Sequence, residues 1–241
     1  MMKITVLGTG DTVGTPKVGC SCEVCTEAKE RGIQRLRTSI LITRGDKNLL
    51  IDSSPDLRQQ LLLAGSPRID AVLWTHGHYD HIMGFPDFYR VQRETMQVFG
   101  APEVLSYCGK IFSFIKHDEF PLQPYAASEI CGMNVTIFPV EHDGTPTYGV
   151  RIEADGKVFA YSCDTRADMK PESLDMLRDA DLLLLDGIFP PDVHIRKHMN
   201  TGDAERLGDE LNAKEFFCVH MSHKIPLDYQ YAAHDMQTWE L

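Results

Sequence analysis

The 241-residue sequence lacks the features that mark several common classes of protein. No stretch approaches the roughly 20 consecutive apolar residues that a transmembrane helix needs. The first eight residues are too few and too polar for a signal peptide, so we expect a cytoplasmic protein with no membrane partner. There is no Ser/Gly- or Pro-rich linker, no block of five like charges and no internal repeat. These absences favour a single domain over residues 1–241.

Basic residues are also scarce, with 24 Lys and Arg against 35 Asp and Glu, which gives a net charge of −11. Such a charge argues against a protein that grips long nucleic acids. The seven cysteines are an odd number and do not fit a secreted disulfide framework. Their thiols are therefore expected to stay reduced and able to hold metal.

Short apolar runs alternate with turn-like segments, which predicts strands with helices interspersed. We predict strands at residues 3–7, 38–43, 48–51, 70–74, 133–139, 148–154, 158–162, 182–186 and 216–219. We predict helices at residues 56–64, 101–116, 167–177 and 202–211, the last with Thr201 as its N-cap. The pattern indicates a layered α/β architecture and leaves the topology open.

The most informative segment is His76-Gly77-His78-Tyr79-Asp80-His81, which follows the predicted strand at residues 70–74. Imidazole and carboxylate are the ligand types that divalent transition metals accept. A solvated, histidine-rich turn is the alternative, but an apolar strand that leads directly into the cluster favours a metal site. Four ligands rarely complete a site for two metals, so further donors are expected elsewhere.

Three later predicted strands end at potential ligands in the same way. His142 follows the apolar run 135–140, Asp164 follows residues 158–162, and His220 follows residues 216–219. The repetition of this pattern indicates that the side chains converge on one edge of a sheet.

These motifs resemble the metallo-β-lactamase superfamily, as do the segments Leu7-Gly8-Thr9-Gly10 and Leu50-Ile51-Asp52. The resemblance implies an α/β (α+β) fold, a four-layer αββα sandwich with two divalent metal ions, Mn²⁺ or Zn²⁺, at one edge. It also implies the ligands: His76, His78 and His142 for one metal, Asp80, His81 and His220 for the other, Asp164 as a bridge between them, and Asp52 as support behind them.

A second cluster, Cys20-Ser21-Cys22-Glu23-Val24-Cys25, supplies three soft thiolates, one short of a tetrahedral zinc site. His223, three residues after His220, is the best candidate for the fourth ligand. Free cysteines or a redox pair are the alternatives, but nothing in the sequence suggests the helix start that a redox pair needs. We therefore predict a structural Zn²⁺ held by a loop at residues 19–26.

The combination of this loop with a late His-x-x-His resembles the branch of the superfamily that contains phosphoribosyl cyclic phosphate phosphodiesterases, the PhnP-like proteins. That resemblance implies that His223 completes the zinc site and that the chain forms a homodimer. It also gives catalytic roles to Asp164 and to His198, which lies in Arg196-Lys197-His198-Met199-Asn200-Thr201. By its surroundings alone, His198 would be a surface histidine.

The resemblance implies a metal-dependent hydrolase that cleaves a small phosphodiester, such as a cyclic ribose phosphate, through a hydroxide held by two metals. A tRNA 3′-end processing nuclease shares the core motif but needs a basic arm that the sequence lacks. A thioester or lactam hydrolase leaves the zinc loop unexplained. A metal-dependent binding module without turnover is a further alternative, but a site that has lost its activity usually loses a ligand as well.

Overall fold

The structure, a computed structural model, describes residues 1–91 and 94–241. Its elements, in chain order, are β1 (Met2–Gly8), α1 (Glu23–Arg31), β2 (Ser39–Arg44), β3 (Lys47–Ile51), α2 (Leu57–Leu63), β4 (Ala71–Leu73), α3 (Tyr79–Ile82), a 3₁₀ turn (Phe85–Asp87), α4 (Phe88–Val91), β5 (Met96–Gly100), α5 (Pro102–Ile111), β6 (His117–Pro121), β7 (Ser128–Ile130), β8 (Met133–Val140), β9 (Thr147–Ala154), β10 (Lys157–Tyr161), α6 (Pro171–Leu177), β11 (Leu182–Asp186), α7 (Thr201–Glu210), β12 (Phe216–Val219) and β13 (Thr238–Glu240).

Within the described ranges, the strands form two sheets, one in the order β13-β1-β2-β3-β4-β5-β6 and the other in the order β12-β11-β10-β9-β8-β7. In the second sheet, β10, β11 and β12 are parallel. Because β9 is antiparallel to both β8 and β10, β8 runs in the same direction as β10. The carboxyl ends of these four parallel-running strands therefore lie at one edge of the sheet.

The two sheets pack face to face, with helices on their outer faces. Ile4 and Ile42 of the first sheet share a buried core with Val150 and Ile152 of the second. A separate cluster places Leu183 of β11 beneath the helices α6 and α7. Because β11 is buried on both faces, it reads as an unbroken apolar run. The expected αββα sandwich is confirmed.

Several predicted element boundaries are wrong. The predicted helix at 101–116 ends at Ile111, because the residues after it turn inward and bury Phe112 and Ile115. The predicted helix at 167–177 begins only at Pro171, whose fixed φ suits a first helical turn. The N-cap of α7 is Asn200 and not Thr201, because the side chain of Asn200 accepts a hydrogen bond of 2.8 Å from the backbone N–H of Asp203.

In the part of the chain that the structure describes, no helix combines the length and the apolar character needed to cross a bilayer.

Candidate functional site

The candidate site lies where strand ends from both sheets meet. In the first sheet, β4 leads into Thr75 and His76. In the second sheet, His142 follows β8, Asp164 follows β10, and His220 follows β12. The structure thus brings together the side chains that the strand-end pattern singled out.

The first group of possible metal ligands contains His76, His78, His142 and Asp164, whose donor atoms all lie within 4.8 Å of one another. Nε2 of His142 is 3.1 Å from Nδ1 of His78. Asp164 Oδ2 is 3.8 Å from Nε2 of His76 and 3.9 Å from Nε2 of His142. Three imidazoles and one carboxylate oxygen therefore face a common point.

A second group, Asp80, His81 and His220, lies directly beside the first. Asp164 Oδ2 is 3.3 Å from Nε2 of His81 and 3.3 Å from Nε2 of His220. The Asp80 carboxylate is 3.3 Å from Nε2 of His220 and accepts a hydrogen bond of 2.7 Å from the Thr12 hydroxyl. One oxygen of Asp164 thus faces both groups.

These residues fit two divalent cations. Nε2 of His76, Nε2 of His81 and Oδ1 of Asp164 are buried and have no hydrogen-bond partner in the described part of the chain. Unpartnered buried polar atoms cost free energy, and a bound ion would compensate them. Imidazole nitrogens with carboxylate oxygens suit Zn²⁺ or Mn²⁺.

Hydrogen bonds behind the ligands fix which ring nitrogen faces the site. The Asp52 carboxylate accepts bonds from Nδ1 of His81 at 2.7 Å and from the hydroxyl of Thr75 at 2.8 Å. Nδ1 of His76 donates to the Thr75 hydroxyl oxygen at 3.0 Å, and Nδ1 of His142 donates to the Lys197 carbonyl at 3.0 Å. Each bond directs the other nitrogen, Nε2, toward the candidate metal position.

The pKa shifts differ between the two groups of candidate ligands. Burial lowers the pKa of His78 to about 4 and lowers the pKa of His76 as well. Both imidazoles are therefore neutral near pH 7 and have an electron pair free to coordinate a metal ion. Burial also opposes charge on Asp164, but His220 and His81 outweigh it and lower its pKa well below the ordinary value. For His81, burial is outweighed by Asp164 and Asp52, which raise its pKa. A bound cation would take the place of that proton.

His198 lies beside the candidate metal ligands rather than on the surface, and only 8% of it is exposed. Its ring stacks on that of His220, with 5.0 Å between centroids. Nδ1 of His198 donates to Oδ2 of Asp186 at 2.7 Å. Sequence reasoning missed Asp186, although it ends the apolar strand β11 and so follows the same pattern as the predicted ligands.

The structure also brings Cys20, Cys22, Cys25 and His223 together, with their donor atoms within 4.8 Å of one another. Nδ1 of His223 is 3.4 Å from Sγ of Cys22 and 3.6 Å from Sγ of Cys20. The sequence gives no sign of a helix start here, yet Cys22 is the N-cap residue of α1 and Cys25 lies in its first turn. Three thiolates and one imidazole fit a structural zinc ion.

Replacing Cys22 by serine is expected to remove one zinc equivalent per chain and to destabilise the fold. A lost metal ligand of this kind costs about 2–4 kcal/mol, or roughly 4–16 °C in the melting temperature of a domain of this size. Elemental analysis and thermal unfolding measure both effects. Cys131→Ser is the matched control, because Cys131 belongs to none of the metal-ligand groups among the described residues. Unchanged zinc content in Cys22→Ser would contradict the assignment.

The sequence is similar to proteins of a known family. The family model of the beta-lactamase superfamily domain matches residues 47–221. A protein named octanoyltransferase from Porphyromonas gingivalis is 31% identical over an alignment of 243 positions that covers 95% of this chain but 48% of that protein. The chain thus spans about half the length of that relative. The coenzyme PQQ synthesis protein B of Methylobacterium radiotolerans is 30% identical, with 86% of this chain and 80% of that protein covered.

The fold is also similar to those of several solved structures. A diphosphatase from the PhnP family matches with a TM-score of 0.89 and 28% identity, over 100% of this chain and 98% of that one. Zn²⁺-bound PqqB from Methylobacterium extorquens matches with a TM-score of 0.84 and 24% identity, over 99% of this chain and 100% of that one. The short form of human tRNase Z has a TM-score of 0.74 and 17% identity, over 99% and 98%. The last two show only a shared fold.

The resemblance predicted from the His-x-His-x-Asp-His motif is therefore confirmed by the family match and by the PhnP-family structure. The chain belongs to the metallo-β-lactamase superfamily of metal-binding hydrolases.

Proposed function

We propose that the chain is a phosphodiesterase that uses two divalent metal ions, Mn²⁺ or Zn²⁺, to hydrolyse a small phosphodiester. One observation carries the proposal: Oδ2 of Asp164 faces both ligand groups, 3.8 Å from Nε2 of His76 and 3.3 Å from Nε2 of His220. A shared carboxylate oxygen between two sets of donors is the arrangement that a two-metal centre needs.

When bound, the two ions would supply Lewis acidity, stabilising charge on the phosphate and lowering the pKa of an attacking water. The chain's own residues hold and orient this centre. Asp52 fixes the ring of His81 through the 2.7 Å bond to Nδ1, and the carbonyl of Lys197 fixes the ring of His142. Because these ligands are held in place before the substrate binds, little reorganisation is needed at the moment of reaction.

His198 is the proposed general acid. The bond from its Nδ1 to Asp186 fixes the ring and makes Nε2 the nitrogen that reacts. As an imidazolium, His198 would donate the proton on Nε2 to the ester oxygen that leaves the phosphorus and would become a neutral imidazole that keeps its Nδ1–H bond to Asp186. Oδ1 of Asp186 also lies 3.8 Å from Nδ1 of His220, so the carboxylate that holds the acid is close to a candidate metal ligand.

A small substrate fits the charge of the protein. With 35 acidic against 24 basic residues, a long polyanion would be repelled over most of the surface. A single phosphodiester group would instead meet the locally positive, metal-loaded edge. The similarity to a PhnP-family diphosphatase supports phosphorus–oxygen chemistry.

A role in coenzyme PQQ synthesis is the second candidate, because the relatives of that name cover 86% of this chain. Complementation of a strain that lacks coenzyme PQQ synthesis protein B tests it. Acyl transfer is weaker as a proposal, since the chain spans only 48% of the protein named octanoyltransferase.

The test of the proposal is a side-by-side assay of metal-reconstituted protein with bis(p-nitrophenyl) phosphate, 2′,3′-cyclic AMP, a tRNA precursor and an acyl thioester. We expect turnover of the small phosphodiesters and little or none of the other two. The proposal would be contradicted if only the thioester were hydrolysed, or if no phosphodiester were hydrolysed.

A further inference from the structure

A cavity of about 410 Å³ opens next to the metal ligand His78. It lies in the size range of small-molecule sites, roughly 300–1,000 Å³. One wall is formed by Glu103 and Tyr107, and the other includes Thr145. Because Nε2 of His78 is 3.4 Å from the hydroxyl of Thr145, the cavity and the candidate metal centre share a boundary.

An aromatic ring, that of Tyr107, forms part of one wall of the cavity. Glu103 and Tyr107 lie four residues apart on α5, so both project from one face of the helix. A Cβ placed on Gly77 would lie 2.4 Å from Cδ1 of Tyr107, so only glycine lets the ring edge lie against the backbone between His76 and His78. Tyr107 is nevertheless 55% exposed. It therefore offers an open ring surface beside the reacting centre.

The charged side chain that lines the cavity disfavours the binding of a second phosphate there. None of the described residues that line it is Lys or Arg, and Glu103 supplies a carboxylate. The hydroxyl of Tyr148 donates to Oε1 of Glu103 and so holds this carboxylate in place. Burial raises the pKa of Tyr148, and the bond to Glu103 raises it further. The hydroxyl therefore keeps its proton and donates it to the hydrogen bond. A second phosphate here would face a fixed negative charge without a cation to balance it.

We propose that this cavity binds the nucleoside part of a nucleotide phosphodiester. The base stacks on Tyr107, and the neutral ribose hydroxyls lie near Glu103, which can accept hydrogen bonds from them. The phosphate lies at the edge formed by His78. This inference rests on the proposed phosphodiesterase function for the position of the phosphate, and it makes Tyr107 a specificity-determining residue.

Calorimetric binding to the metal-loaded protein tests the subsite without requiring hydrolysis. The ligands are adenosine 5′-monophosphate and ribose 5-phosphate, in which a hydroxyl replaces the base. We expect the nucleotide to bind about tenfold more tightly, since stacking of one base on an aromatic ring contributes roughly 5- to 150-fold in affinity. Tyr107→Ala should remove the difference in affinity between the two ligands, whereas Tyr107→Phe should keep it.

Phe114→Ala is the matched control, because Phe114 is 64% exposed and does not line the cavity. It should leave the preference for the nucleotide intact. Equal affinity for the two ligands, or a preference that survives in Tyr107→Ala, would overturn the subsite. Hydrolysis of methyl p-nitrophenyl phosphate, which has no base, reports separately on the proposed function. Failure of that reaction alone would reject the phosphodiesterase and leave the nucleoside subsite standing.

Discussion

Replacing Asp164 by alanine is expected to lower kcat for phosphodiester hydrolysis by at least about 10³-fold and to reduce metal content at the paired ligand groups. The reason is geometric, because Oδ2 of Asp164 is the atom that both groups share. Its removal also leaves His81 and His220 without the carboxylate that faces them. Elemental analysis and steady-state kinetics on the purified variant measure the two losses.

The Asp164 experiment needs controls for folding. Asp164→Asn keeps the size of the side chain and should lose most of the metal while retaining the fold. Asp168→Ala changes a carboxylate four residues away that pairs with Arg166 and is 72% exposed, so it should behave like the wild type. An Asp164→Ala protein with full metal content and activity would show that the carboxylate does not bridge two ions.

Replacing His198 by alanine is expected to have the second largest effect, a loss of about 10²–10⁴-fold in kcat for substrates with a poor leaving group. The loss should be much smaller for bis(p-nitrophenyl) phosphate, because p-nitrophenolate leaves without being protonated. The kinetic comparison uses this ester and 2′,3′-cyclic AMP, whose ribose oxygen requires a proton.

Asp186→Asn should give a partial version of the same defect, since Asp186 orients His198 through the 2.7 Å bond to Nδ1. His234→Ala is the control, as His234 is exposed and belongs to none of the metal-ligand groups found among the described residues. An equal loss for both substrates in His198→Ala would contradict a role in protonating the leaving group.

Much of the candidate site was predictable because of a simple pattern. A buried strand is an apolar run, and a histidine or carboxylate directly after it lies at the edge of the sheet. That reasoning placed His76, His142, Asp164 and His220 in one region. Asp186 follows the same rule, but as the last residue of the run 182–186 it cannot be told from a strand residue by sequence alone.

Other parts of the fold carried too weak a signal. Strand β6 lies at an edge of its sheet and is mostly exposed, so it lacks the alternating apolar pattern that predicts a strand. Helix α1 begins after Cys22, which makes no capping hydrogen bond through its side chain, so its start resembles no usual N-cap. Helix α3 has four residues, too few for a periodic pattern.

The cavity beside His78 could not be found from sequence. Its walls come from α5 and from the turn between β8 and β9, which are separated along the chain and meet only in the folded protein. The sequence also does not show that the absence of a side chain at Gly77 makes room for the ring of Tyr107. The pairing of an aromatic ring with a carboxylate one helical turn away becomes informative only when the metal ligands are seen next to it.

A metal titration of the metal-free protein, with hydrolysis of bis(p-nitrophenyl) phosphate followed at each step, tests the central claim most directly. Once the cysteine site is filled with zinc, activity should rise as further Mn²⁺ or Zn²⁺ is added and should reach its maximum at two more equivalents per chain. A protein that binds all three ions and hydrolyses no phosphodiester, or one that is fully active with a single additional ion, would contradict the two-metal phosphodiesterase.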